Sequence, residues 1–121
     1  MTKEQFLSKI YANEDAFTAA VHTYINHNYP EMRGFYFHVA NETIGGMAII
    51  QKRKAMGVLA GVPDFEFKKP YTWYLELKIE KGVLSPAQKK LHKEWTENGE
   101  IIETAYTPQQ VITIIDKHLI F

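Results

Sequence analysis

Residues 72–80 alternate without a break: Trp73, Leu75, Leu77 and Ile79 fall on one parity, Tyr74, Glu76, Lys78 and Glu80 on the other. Successive side chains of a β-strand point to opposite faces. The segment is therefore expected to be a strand with one core face, and its other face sets a carboxylate and an ammonium two residues apart. Residues 62–67 alternate in the same way, with Asp64 and Glu66 against Phe65 and Phe67. The connection from Lys68 to Tyr71, which contains Pro70, is short enough for a hairpin. Such a hairpin can bring Asp64 beside Glu76. Two carboxylates held at one point repel each other, and a divalent cation is the natural compensation. Hard oxygen ligands on a rigid strand pair suit Mg²⁺ or Mn²⁺. A lysine beside a metal site can position a water and help to deprotonate it, and that combination hydrolyses phosphodiesters in line.

The rest of the chain supplies helices around this hairpin. Residues 13–27 read as a helix capped by Asn13, with Ala16, Phe17, Ala20, Val21, Tyr24 and Ile25 at helical spacing. Residues 2–11 read as a short helical lead-in. Pro30 to Gly34 breaks the chain, and Phe35 to Val39 reads as a strand. A turn follows at 40–46. Residues 47–56 suit a short helix ended by Gly57 or a strand, and Gly57 and Gly61 bracket a loop. Ser85-Pro86-Ala87-Gln88 is a helix start with Ser at the N-cap, Pro at N1 and a capping-box Gln at N3. Gly99 stops that helix, Ile101 to Tyr106 is a strand, and Thr107-Pro108 opens a last helix to about Leu119. The order α-β-(α)-β-β-α-β-α describes an α/β domain, a mixed central sheet flanked by helices.

A chain of 121 residues is expected to form one domain over 1–121 and to bury a core without covalent staples. It has no cysteine, which excludes a disulfide frame, a thiolate zinc site and a cysteine nucleophile. No apolar run approaches membrane-spanning length, and no apolar stretch follows the polar N-terminus as in a signal peptide. The expected setting is cytoplasmic, with no membrane partner. The formal net charge is zero, yet residues 52–93 hold ten Lys or Arg against four acids and are net +6, while residues 1–51 are −2 and residues 94–121 are −4. Local sign matters more than the total for a polyanionic partner. Lys52, Arg53 and Lys54, and Lys89, Lys90 and Lys93, are either phosphate contacts or solvated faces. The five histidines (His22, His27, His38, His92, His118) show no zinc-ligand spacing. Tyr36, Phe37, Tyr71 and Tyr74 read as core or sheet-face residues rather than base-stacking platforms.

Pro63-Asp64 followed by Glu76-Leu77-Lys78 is the PD-(D/E)XK signature. The ordered set Gly61-Val62-Pro63-Asp64, Leu75-Glu76-Leu77-Lys78 and Leu84-Ser85-Pro86-Ala87-Gln88, then a glycine and a strand, resembles the VRR-NUC (virus-type replication-repair nuclease) family, most of all its small stand-alone phage and prophage members. The resemblance runs from Glu14 to the last helix. It implies a PD-(D/E)XK, restriction-endonuclease-like core and a Mg²⁺- or Mn²⁺-dependent DNA endonuclease. Branched or junction DNA in phage replication or repair is the implied target. It also implies a homodimer and a phage or host replication/repair protein as partner. Asp64 and Glu76 match the family's metal-binding carboxylates, the main-chain carbonyl of Leu77 a further ligand, and Lys78 the lysine that orients the attacking water. Glu14 matches an acidic residue bound to metal through water, and Gln88 a glutamine near the site. Where family members often carry a glutamine one turn after the helix glutamate, this chain has Phe17 or Thr18, which leaves Glu4 as the alternative to Glu14.

Each residue also has a plainer role open to it. Asp64 can cap a turn after Pro63, and Glu76 and Lys78 can face solvent on an edge strand. Gln88 can serve only its capping box, Glu14 can simply favour a helix N-terminus, and Glu66 is either a neighbour of the carboxylate pair or solvated. The functional alternative is a nucleic-acid-binding or assembly module with little catalytic activity.

Overall fold

In the computed structural model, residues 1–39 and 46–120 are described, so the turn expected at 40–46 lies, apart from Gly46, outside them. Helix α1 (Lys3–Ser8) starts in a capping box between Thr2 and Gln5. Helix α2 (Glu14–Asn28) starts at Asn13, whose side chain accepts from the Ala16 N–H, a bond that satisfies one of the donors a helix start leaves free. After a 3₁₀ turn at Pro30–Met32 come β1 (Tyr36–His38), α3 (Met47–Ala55), β2 (Phe65–Phe67) and β3 (Trp73–Leu77), then α4 (Pro86–Glu97), β4 (Ile102–Ala105) and α5 (Pro108–His118). The sheet order is β1-β2-β3-β4. The first three strands are antiparallel, and β4 runs parallel to β3.

Phe65, Phe67, Trp73, Leu75 and Leu77 are wholly buried and meet Phe17 and Val21 of α2 and Val111 and Ile115 of α5 in one core. Helix α4 covers the opposite face, where Trp95 packs on Tyr74 with ring centroids 5.0 Å apart. β3 is thus covered on both faces: all five of its residues are buried. An exposed edge position for Glu76 is excluded by this burial.

Strand bounds are shorter than the alternation suggests. β3 stops at Leu77 rather than at residue 80, because the chain turns at Glu80 (φ 21) and closes on Gly82, whose N–H donates to the Ile79 carbonyl. Residues 47–55 are helical, as the run of strong helix formers from Gln51 to Ala55 favours. No residue of α3 is buried. Tyr36 and Tyr74 are buried, whereas Phe37 and Tyr71 are about half exposed.

Two of the scattered histidines are buried. His118 Nε2 donates to Glu103 Oε2 at 2.6 Å, and its Nδ1 accepts from the Tyr71 hydroxyl at 2.6 Å, while its ring stacks on Trp73 at 4.4 Å. Partial burial pushes the Glu103 carboxyl up, but hydrogen bonds from His118 and Lys117 outweigh it and hold the group below the ordinary glutamate value. The network ties the hairpin loop, β4 and the end of α5 together. Among the described residues, no helix is long and apolar enough to cross a membrane.

Candidate active site

The β2–β3 register pairs Phe65 with Leu75, and one step further along it Asp64 falls across from Glu76. The Leu77 N–H donates to Asp64 Oδ2 at 2.7 Å, so the aspartate is anchored on the backbone of the partner strand. The Asp64 carbonyl accepts from the Val39 N–H at 2.7 Å and from His38 Nδ1 at 2.8 Å. A carbonyl only accepts, so His38 carries its proton on Nδ1 here.

Glu76 is 1% exposed. Burial pushes its carboxyl up to about 9, and the hydrogen bond and negative charge of Asp64 add to this; Lys78 opposes the shift and Glu14 reinforces it. Glu76 and Glu103 thus diverge for a definite reason. Glu76 is wholly buried and faces a second carboxylate, which together outweigh Lys78, whereas Glu103 is only partly buried and takes hydrogen bonds from His118 and Lys117. Lys78 is itself buried, with Nζ 3.8 Å from Glu14 Oε1 at the start of α2. Glu4 lies on α1, where its charge helps to push the Tyr24 hydroxyl up, so of the two acidic candidates Glu14 is the one beside the hairpin.

Gln88 serves two roles with one amide. Its Oε1 accepts from the Ser85 N–H at 2.9 Å, completing the capping box, and its Nε2 donates to the two oxygens of Glu76 at 3.1 and 3.4 Å. The capping and site roles are therefore compatible. The first turn of α4 thus meets the carboxylate pair through the Gln88 side chain.

The loop before Asp64 is clamped to this helix start. A Cβ on Gly61 (φ +88) would lie 2.6 Å from the Ala87 carbonyl oxygen and 3.0 Å from the Gln88 nitrogen. Gly61→Ala is expected to destabilise the fold by about 2–4 kcal/mol, from the left-handed backbone and from overpacking together. Urea denaturation checks this, and an unchanged midpoint would contradict it.

Glu66 does not join the carboxylate pair. It binds Lys68 at 2.7 Å and hydrogen bonds to Tyr74. Lys52 and Lys54 on α3 and Lys89, Lys90 and Lys93 on α4 are exposed, and Arg53 is partly so. Three residues were missed from sequence: Asp15, Thr18 and His38 line a cavity of about 140 Å³ with Glu14, Asp64 and Gln88. Only the β1–β2 register, His38 opposite Phe65, brings that histidine to Asp64. Among the described residues no three His, Asp or Glu side chains form a metal cluster. The oxygen pair of Asp64 and Glu76 fits a hard cation by its chemistry, since a cation would offset the burial and the Asp64 charge that push the Glu76 carboxyl up. Glu14 engages Lys78 rather than closing a third side of that pair.

No protein-family model matches the chain, and no curated protein does. Solved structures do. One, titled "VRR_NUC domain protein", aligns over 73% of this chain and 69% of its own with a TM-score of 0.57 and 24% identity. Another, titled "VRR_NUC domain", covers 82% of this chain and 94% of its own with a TM-score of 0.52 and 17% identity. Similarity at these identities is a similarity of fold. With its mixed four-stranded sheet, flanking helices and paired hairpin acids, the chain has the VRR-NUC fold, an α/β core of the PD-(D/E)XK kind.

Proposed function

We propose that this domain is a divalent-cation-dependent DNA endonuclease. The observation that carries the reading is the buried carboxyl of Glu76 against Asp64, held by Gln88 and bordered by Lys78. A pair of acids on adjacent strands, one of them forced to keep its proton, is costly unless a cation binds there. Asp64, Glu76 and the Leu77 carbonyl would hold Mg²⁺ or Mn²⁺, with Glu14 acting through water. When bound, the ion supplies an acidified water and neutralises charge on the phosphate.

The chain's own groups do the rest. Gln88 fixes the orientation of both Glu76 oxygens. Leu77 N–H fixes Asp64. Lys78 holds the attacking water and places positive charge beside the phosphate. Lys52, Arg53, Lys54, Lys89 and Lys90 meet the flanking backbone, which accounts for the basic middle of a neutral chain. A domain this small has little surface for two DNA strands, which favours a homodimer acting on branched DNA in replication or repair, in the cytoplasm and alongside a phage or host protein.

The test is cleavage of labelled plasmid, splayed-arm and four-way-junction DNA in Mg²⁺, Mn²⁺ or EDTA. Cutting that needs the cation supports the proposal. Binding without cutting on every substrate would contradict it. Lys78→Ala is expected to slow cleavage by about 10²-fold or more, and a wild-type rate in that variant would remove the role given to Lys78.

A further inference from the structure

A second cavity, of about 160 Å³, is lined by residues 9–11, Phe17 of α2, residues 79–80 after β3 and residues 106–108 at the start of α5. Its walls include Tyr11, Phe17, Ile79 and Tyr106, with Lys9 and Glu80 also lining it. Its lining is linked to the candidate active site along the chain: Ile79 and Glu80 follow Lys78 directly, and Phe17 lies one turn beyond Glu14. The aromatic wall is fixed in place. Tyr11 stacks on Phe17 at 5.5 Å, and its hydroxyl donates to the Phe6 carbonyl. Tyr106 is anchored by its own N–H, which donates to Gln110 Oε1 at 2.6 Å, while 38% of the residue stays exposed. Neither Lys9 nor Glu80 forms an ion pair among the described residues.

Flat apolar walls take aromatic rings, and base–aromatic stacking is the sequence-tolerant way proteins hold unpaired nucleic acid. A lysine at the rim suits a phosphate, and a carboxylate accepts hydrogen bonds from an exocyclic amino group. The cavity is too small for a drug-sized ligand. We propose that it takes a single unpaired nucleobase of the DNA strand crossing Asp64 and Glu76, with Tyr106 as the stacking residue, Lys9 on the adjoining phosphate and Glu80 selecting bases with an exocyclic amine over thymine. The inference rests on the DNA-directed reading of the neighbouring site. It explains an aromatic, half-open pocket that phosphodiester hydrolysis alone does not require, and it favours substrates with an unpaired nucleotide, such as flaps and splayed arms, over plain duplex.

The experiment uses the full chain and a splayed-arm oligonucleotide carrying 2-aminopurine in its single-stranded arm. Fluorescence is followed in EDTA, and cleavage is followed separately in Mn²⁺. Wild type should quench the probe. Tyr106→Ala should weaken binding and raise KM about tenfold, with kcat within about twofold of wild type. Tyr106→Phe should restore both, and Glu80→Gln should lower the preference for amino-bearing bases over thymine. Equal quenching and equal KM in wild type and Tyr106→Ala, with cation-dependent cutting intact, would overturn the pocket and leave the nuclease reading standing. Quenching that depends on Tyr106 in a protein that cuts nothing in any cation would support the pocket and overturn the nuclease reading.

Discussion

Asp64→Asn is expected to lower Mn²⁺-supported cleavage on the order of 10³-fold while leaving the fold intact. The choice of asparagine follows from the geometry. Oδ2 of Asp64 accepts the Leu77 N–H at 2.7 Å, inside a strand whose residues are all buried. Alanine would leave that donor unsatisfied, at a cost of about 1–3 kcal/mol. Asparagine keeps an acceptor for that N–H while removing the charge and one metal-ligating oxygen. Loss of cleavage in Asp64→Asn with an unchanged circular dichroism spectrum and melting temperature therefore isolates the carboxylate. DNA binding in EDTA should tighten in the same variant, because a negative charge facing phosphate has gone. Retained cleavage would show that Asp64 only braces the strand end.

The second large effect concerns Glu76 and pH. Its carboxyl titrates near 9 in the folded protein, against an ordinary value of 4.5. The folded state therefore binds more protons than the unfolded chain between these two values. Stability must fall as pH rises through this window, the reverse of the behaviour of a salt-bridged carboxylate. In EDTA, the protein is expected to lose about 5 kcal/mol between pH 5 and pH 9, on the order of 20 °C in Tm. Glu76→Gln should remove most of that slope, since the amide needs no proton and keeps the shape. Mn²⁺ at pH 8 should restore stability to wild type but not to Glu76→Gln. Thermal melts at four pH values, with and without cation, read this directly. A wild-type slope equal to that of Glu76→Gln would mean that burial and Asp64 do not hold the proton on Glu76.

Much of this arrangement was legible in the sequence because its signals are local. Alternation in 72–80 puts Glu76 and Lys78 opposite Trp73 and Leu75, and the same parity in 62–67 puts Asp64 within reach across a short connection. Ser85, Pro86 and Gln88 announce a helix by their spacing alone, and the structure places that cap where sequence reading expects it.

Long-range features did not show. His38 reaches Asp64 only through the pairing of β1 with β2, two strands separated by 26 residues of chain, and no periodicity encodes that register. The bond from His118 to Tyr71 spans 47 residues, so a histidine that looks isolated in the sequence is the middle of a buried network. Gly61 reads as a loop boundary, but its lack of a side chain lets the Asp64 loop close on the α4 backbone. The end of β3 was overestimated because Ile79 and Glu80 continue the alternation of side chains while the backbone has already begun to turn. In each case the deciding contact is tertiary, whereas pattern reading samples only near neighbours.

The most direct test of the central claim is a Mn²⁺ titration at pH 8 that follows bound ion and single-turnover DNA cleavage on the same samples. The account predicts a site in wild type whose half-occupancy coincides with half-maximal cleavage, and neither signal in Asp64→Asn. Cleavage at full rate in EDTA, or an unchanged Mn²⁺ site and rate in Asp64→Asn, would contradict it.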